Sequence, residues 1–326
     1  MGLIEDELSE VKQLCERRIH GSKLVACVPS MIRVEIKKTD FKHFIVCMQF
    51  PQDYPKSCLI IELKSKTLSE RLLQGLSNIC DQECKKYLGK PQILPALTFL
   101  HNFINENALS CCYDEISSIR KLLADDRDEF KLRQKSSCIH LKAFNKQYYL
   151  SAKLVIPDNY PQTALSIENV DSNFPPSLTY HIVTQAKELA RQCVEPPLRP
   201  KKNDPPFKKS PSLEKACTFM INSVKHLPDE KCQYCKEQGL PPDPDLIESN
   251  PSAPKHVERV YCGHLYHLQC LQEYMGKPPF GNKRCQTCNK LIFHHKWSLS
   301  DKLAEDRWAH EQARERELSE VEEFFK

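Results

Sequence analysis

The stretch Phe50-Pro51-Gln52-Asp53-Tyr54-Pro55-Lys56-Ser57-Cys58-Leu59-Ile60-Ile61-Glu62 returns further along the chain as Ile156-Pro157-Asp158-Asn159-Tyr160-Pro161-Gln162-Thr163-Ala164-Leu165-Ser166-Ile167-Glu168. Pro51 and Pro157, Tyr54 and Tyr160, Pro55 and Pro161, and Glu62 and Glu168 share one offset of 106 residues. That is an internal duplication. Proline fixes φ and has no N–H for a sheet ladder, so the chain must leave its strand at each Tyr-Pro step.

Working outward, each copy opens with an amphipathic stretch, Leu3 to Arg18 in the first and Tyr113 to Arg133 in the second, with apolar residues at helical spacing. Asp114 is placed to cap the second helix. Alternating or β-branched runs follow at 24–28, 32–36 and 44–50, and again at 138–144, 148–156 and 165–170, which predicts an antiparallel meander. Helices then close each copy: 67–87 and 95–107 in the first, 177–193 and 213–226 in the second. Thr98-Phe99-Leu100 and Thr218-Phe219-Met220 match within the final helices, but their offset has grown to 120, which places an insertion in the second copy. The insertion, 195–211, is rich in Pro and Lys (Pro196, Pro197, Pro200, Lys201, Lys202, Pro205, Pro206, Lys208, Lys209) and reads as an extended solvated loop. The sharper reading is a basic docking site for an acidic partner.

The chain has 326 residues, 40% hydrophobic and 28% charged, which suits two or three globular domains. No apolar run approaches the ~20 residues that cross a bilayer, and the first residues carry neither a signal peptide nor, with Asp6, a myristoylation motif. A net charge of +4 implies no strong basic face. Basic residues do not gather with aromatic platforms either, so no nucleic-acid partner and no membrane are expected. Of the 17 cysteines, eleven (Cys15, Cys27, Cys47, Cys58, Cys80, Cys84, Cys111, Cys112, Cys138, Cys193, Cys217) are scattered and odd in number. Most of them read as small buried apolar residues, in a reducing compartment, cytoplasm or nucleus.

The remaining six stand with two histidines in the pattern Cys232-x2-Cys235, Cys262-x-His264-x2-His267-x2-Cys270, Cys285-x2-Cys288. Thiolate and imidazole are the ligands Zn²⁺ takes in closed tetrahedral structural sites, and two residues between cysteines let one tight turn present both sulfurs. Eight ligands make two sites. Spacing leaves their pairing open between sequential fingers and an interleaved arrangement. A segment this short and proline-rich cannot bury a sufficient core, so two structural zinc ions would supply its folding energy.

The order three Cys, two His, three Cys resembles the two-histidine RING and covers about 229–295. Tryptophan-marked PHD fingers put cysteine where this chain has His264. The resemblance implies interleaved sites, Cys232, Cys235, His267 and Cys270 on one ion and Cys262, His264, Cys285 and Cys288 on the other. It also implies a surface for a ubiquitin-charged conjugating enzyme, carried by Tyr234 before the second ligand, Tyr274 on the central helix, Gln286 after the seventh ligand and Lys290 near the eighth. Family members commonly have proline where Gln286 stands and a cation where Asn289 stands. The ligase forms no covalent intermediate, so no catalytic residue is expected. Upstream, a helix, a meander, a Tyr-Pro turn and two helices resemble the RWD domain, a relative of the ubiquitin-conjugating-enzyme fold. Both copies carry leucine, Leu59 and Leu165, where that family's turn has a second proline. No His-Pro-Asn context is present, so the copies are expected to bind rather than conjugate.

The expected fold class is therefore α+β: an RWD-like domain at 1–109, a second at 110–228, a cross-braced zinc RING at 229–296 and a charged C-terminal helix at 297–326. The layout is similar to Fanconi anaemia group L-type ligases. It implies a RING-type ubiquitin ligase whose tandem lobes recruit a protein substrate or complex partner. The other reading is a non-catalytic zinc-binding scaffold in a larger complex.

Overall fold

The computed structural model describes residues 2–197 and 206–292, and residues 306, 308–310, 312–316 and 318 near the C-terminus. The centre of the basic loop and most of the expected C-terminal helix lie outside the described residues. By contact, the chain divides into two compact units. One comprises Met1–Lys142, Ser151–Asp171 and Val183–Ile221, the other Ala143–Leu150, Ser172–Ile182 and Asn222–Lys326. No described helix is long and apolar enough to cross a membrane.

The chain begins with helix α1 (Leu3–Arg18), which buries Leu8, Val11 and Cys15 and keeps Glu5 and Asp6 in its first turn and Arg17 and Arg18 in its last. That charge order suits the helix dipole. The meander β1 (Ser22–Val28), β2 (Met31–Thr39), β3 (Lys42–Gln49) and β4 (Ile60–Lys64) is antiparallel with strands in chain order. Side chains alternate across a strand, so Ile32, Val34 and Ile36 all face inward and pair with Met48, Val46 and Phe44 of the next strand. Gly21 enters this sheet at φ +78, where a Cβ would lie 2.4 Å from the Lys37 carbonyl oxygen. Helices α2 (Glu70–Cys84) and α3 (Ile93–Glu106) add Leu73, Leu76, Cys80, Leu97 and Leu100 to the same core.

After the turn Ala108–Cys112, the second copy opens with α4. This helix is shorter than the sequence predicts. It runs Tyr113–Arg120, and residues Glu129–Arg133, expected to be helical, form strand β5 paired with β6 (Cys138–Asn145). Asp125 ends the helical stretch: its carboxylate accepts the Arg127 N–H at 3.0 Å, and its own N–H donates to the Asp128 carboxylate at 3.1 Å. Such local bonds compete with helix. Asp114 is not the cap either. Cys112 holds that position, and the Asp114 carboxylate accepts the Ser69 hydroxyl at 2.7 Å. Strands β7 (Tyr148–Val155) and β8 (Ser166–Ser172) complete a sheet in the order β5-β6-β7-β8, the order of the first sheet. Helices α5 (Pro176–Val194) and α6 (Leu213–His226) follow.

The repeated turns share more than sequence. Both Tyr54–Pro55 and Tyr160–Pro161 are cis. In the first copy the Tyr54 hydroxyl donates to Glu7 of α1, whose other oxygen accepts the N–H groups of Gln92 and Ile93, each at 2.7 Å. In the second, the Tyr160 hydroxyl donates to Glu115 of α4 at 2.6 Å and itself accepts the Ser212 N–H at 2.8 Å. The other Glu115 oxygen accepts the Glu214 N–H at 2.9 Å. In each copy a carboxylate from the opening helix and the turn tyrosine's hydroxyl together accept N–H groups at the start of the closing helix.

Candidate metal centres

The Cys/His segment has little apolar material of its own: Val260, Tyr266, Leu271 and Ile292 cluster with Cys232 and Cys285. It contains one antiparallel hairpin, β9 (Val257–Arg259) with β10 (Leu265–His267), and one helix, α7 (Leu268–Gly276).

Two knuckles of the same geometry hold the paired cysteines. In the first, the Cys232 N–H donates to Glu237 and the Lys236 N–H to Cys232, with Lys236 at φ +65. In the second, the Cys285 N–H donates to Lys290 and the Asn289 N–H to Cys285, with Asn289 at φ +56. Each reversal turns both sulfurs of its pair the same way.

The hairpin distributes the middle ligands. Cys262 and His264 lie in its turn, where Gly263 at φ +104 has the Arg259 guanidinium 3.1 Å from where a Cβ would sit. His267 ends β10, and Cys270 lies in the first turn of α7. The result is two interleaved groups, Cys232, Cys235, His267 and Cys270, and Cys262, His264, Cys285 and Cys288. Within each group the ligand atoms lie within 4.8 Å of one another. The sequential pairing that spacing left open is not the one the fold brings together.

These groups fit a tetrahedral ion. His267 Nδ1 lies 3.4 Å from Cys235 Sγ and 3.9 Å from Cys270 Sγ. His264 Nδ1 lies 3.4 Å from Cys262 Sγ and 3.5 Å from Cys285 Sγ. Ligands at roughly 2.0–2.3 Å around a tetrahedron have edges of about 3.3–3.8 Å. His267 Nε2 is 3.1 Å from the Gln238 carbonyl, so Nε2–H donates there and Nδ1 is left for the ion. Burial opposes ionisation of Cys232, but His267 and the N–H groups of Cys235, His267 and Tyr234 outweigh it and bring the thiol to about 6. Burial likewise opposes ionisation of Cys285, which Tyr266 and the N–H groups of Cys288 and Thr287 bring to about 6. Four protein ligands per site leave no open position. The donor set is compatible with structural zinc and unsuited to hard ions such as Mg²⁺ or Ca²⁺.

Beside the centres lies a groove of about 380 Å³ lined by Tyr234, Tyr274, Lys277, Lys283, Arg284 and Gln286, together with the Pro278-Pro279 step. Tyr234 and Tyr274 have ring centroids 5.9 Å apart, and the Tyr274 hydroxyl donates to the Arg284 carbonyl at 2.8 Å. Lys283 stands 4.7 Å above the Tyr274 ring and donates to the Lys277 carbonyl at 2.7 Å. Three residues singled out from the sequence, Tyr234, Tyr274 and Gln286, therefore meet at one groove. Lys290 does not line it; its carbonyl serves the second knuckle.

Sequence reasoning passed over Tyr266, between the two histidines. It is wholly buried, with its hydroxyl 3.4 Å from Cys285 Sγ and accepting the Gln286 N–H at 3.4 Å, and it ties a ligand to the groove. An aromatic residue caught between two metal ligands was the available signal. The lysines of the groove carried none.

Residues 3–104 match a family model described as the RWD domain. That match takes in the first copy and stops short of the second. Among curated proteins, the mouse (Mus musculus) and human (Homo sapiens) proteins named E3 ubiquitin-protein ligase DTX1 are each 33% identical to this chain over 94 residues. The match is 28% of this chain and 15% of either relative, so the chain spans about 15% of their length.

Proposed function

We propose that the protein is a RING-type ubiquitin ligase in which the Cys232–Cys288 segment, folded on two zinc ions, docks a ubiquitin-charged conjugating enzyme. The observation that carries this is the meeting of Tyr234, Tyr274 and Gln286 at one groove beside two interleaved four-ligand centres. Tyrosines offer large, stiff apolar faces with a polar tip, the composition of binding hot spots. The ligase contributes proximity and orientation of the thioester, with no covalent step of its own. The RWD match and the name of the curated relatives support a place in ubiquitin transfer.

The second copy of the repeat is a second RWD-like lobe on this reading, supported by its matching strand order, cis Tyr-Pro step and Glu–Tyr cap. The domains are 1–109, 110–228, 229–296 and 297–326. The two lobes recruit the protein substrate, and the chain works in the cytoplasm or nucleus.

The second reading, a scaffold whose zinc segment assembles a complex without transfer, is favoured by Gln286 and Asn289, which stand where ligases of this type commonly carry proline and a cation. Discharge of ubiquitin-charged conjugating enzymes onto free lysine, run across a panel with the full zinc-loaded chain, separates the two. Ligase activity is expected from the native chain and loss of at least ~10-fold from Tyr234→Ala, with the fold retained. A folded, zinc-loaded chain that accelerates no enzyme of the panel overturns the ligase reading in favour of the scaffold.

A further inference from the structure

The turn Ala108–Cys112, between α3 and α4, carries two adjacent cysteines outside the metal centres. Cys111 and Cys112 have their sulfurs 3.7 Å apart, with Cys112 buried and Cys111 partly open. Lys42, whose charge acts on Cys111, has no exposed surface, and its Nζ makes no hydrogen bond among the described residues. An ion-pair contact of 3.6 Å to the exposed Asp158 carboxylate is its compensation. A buried ammonium short of hydrogen bonds favours negative charge on its neighbours.

The two thiols feel this unequally. Cys111 is drawn below the ordinary thiol value by its hydrogen-bond contact with Cys112, against burial, and further by Lys42. Cys112 is held up by Cys111 and by burial. Cys27 and Cys58, also partly open and outside the metal centres, are both pushed up by burial.

We propose that Cys111 and Cys112 are a hydroperoxide-sensitive dithiol that closes reversibly to a vicinal disulfide, with Cys111 attacking, Cys112 resolving and Lys42 supplying the charge. The Cys111 thiolate attacks one peroxide oxygen, the O–O bond breaks, and the leaving hydroxide takes a proton to become water. Cys111 is left as a sulfenic acid. The Cys112 sulfur then attacks Cys111, the S–S bond forms, the S–O bond breaks, and the second water departs with the Cys112 proton. Two thiols lose two electrons, and one peroxide becomes two waters.

Neighbouring Cα atoms are about 3.8 Å apart, less than the ~4.4–6.8 Å that disulfides prefer. A bond closed there is strained and readily reduced, as a reversible modification requires. The turn it would reshape is held at one end by the Leu109 N–H on the Gln134 side-chain oxygen, at 2.9 Å, and leads directly to Glu115.

The test is peptide mapping by mass spectrometry of the full zinc-loaded chain across a hydrogen peroxide series. The peptide containing both cysteines should lose the mass of two hydrogens and regain it with a dithiol reductant, at doses that leave Cys27 and Cys58 reduced and release no zinc. Cys112→Ser should stop at a Cys111 sulfenic acid that dimedone traps, and Lys42→Met should slow closure about tenfold. Oxidation of Cys27 or Cys58 at the same dose overturns the proposal, and so does Cys111 passing to sulfinic acid without an S–S bond. These readings stand on the native chain and Cys112→Ser even if Lys42→Met does not fold.

Discussion

A carboxylate buried beneath a helix start is costly unless its oxygens are hydrogen-bonded, and both oxygens of Glu7 and both of Glu115 accept hydrogen bonds. Glu115→Ala leaves the Glu214 N–H without its acceptor and the Tyr160 hydroxyl without the group it donates to, and should cost about 3 kcal/mol in urea unfolding. Glu115→Gln keeps an acceptor for one of the two and should cost less. Burial raises the Glu115 pKa, so the folded chain holds this proton to a higher pH than the unfolded chain does. Its contribution therefore grows as pH falls from neutral toward the ordinary carboxylate range and is lost as pH rises through the raised pKa. The melting-temperature gap between the native chain and Glu115→Gln should widen in favour of the native chain as pH is lowered, and a constant gap would contradict the assignment. At the sheet entry, Gly21→Ala must place a Cβ against the Lys37 carbonyl at φ +78 and should cost about 2 kcal/mol by the same assay. Tyr54 and Tyr160 were legible as repeated residues, but their hydroxyls' partners were not. Glu7 and Glu115 look like any acidic residue in a first helical turn, and only three-dimensional proximity gives them a role.

At the scale of elements, alternation gave the strands of the first meander because one face of that sheet is buried and the other is not. The stretch after Tyr113 misled for a definite reason. Its apolar spacing continues at helical period past Arg120, while Asp125 and Asp128 bond their own backbone and break the run before Glu129. Periodicity registers side-chain polarity and is blind to such turns. The Cys/His hairpin is the opposite case: eight candidate ligands stood out by residue type and spacing, while the two groups they form depended on β9 and β10 placing Cys262 and His264 away from His267 and Cys270. Because one hairpin serves both centres, Cys262→Ser should lose close to both zinc equivalents when metal content is measured after gel filtration. Retention of one full equivalent would mean that the centres fold independently.

Across the molecule, apolar material is unevenly spread. The first copy has a core of its own running from Leu8 to Ile104, whereas the Cys/His segment offers only a few residues. Chelation should therefore melt residues 229–292 selectively. In hydrogen exchange with a strong zinc chelator, amides of 257–276 should lose protection while those of Ile32–Met48 keep theirs, and uniform loss across both would refute this division of stability. The sequence was informative about this scale through its duplication and its ligand run. It was silent on how residues far apart in the chain share one carboxylate. That sharing has a consequence for the chain during synthesis. Glu7 is made 85 residues before Gln92, and the N–H groups it accepts belong to Gln92 and Ile93. At the ~5–20 residues per second of translation, α1 waits several seconds with a carboxylate that has no place in a core. The first copy can settle only when its closing helix leaves the ribosome, and a nascent chain truncated before that point should remain open to protease.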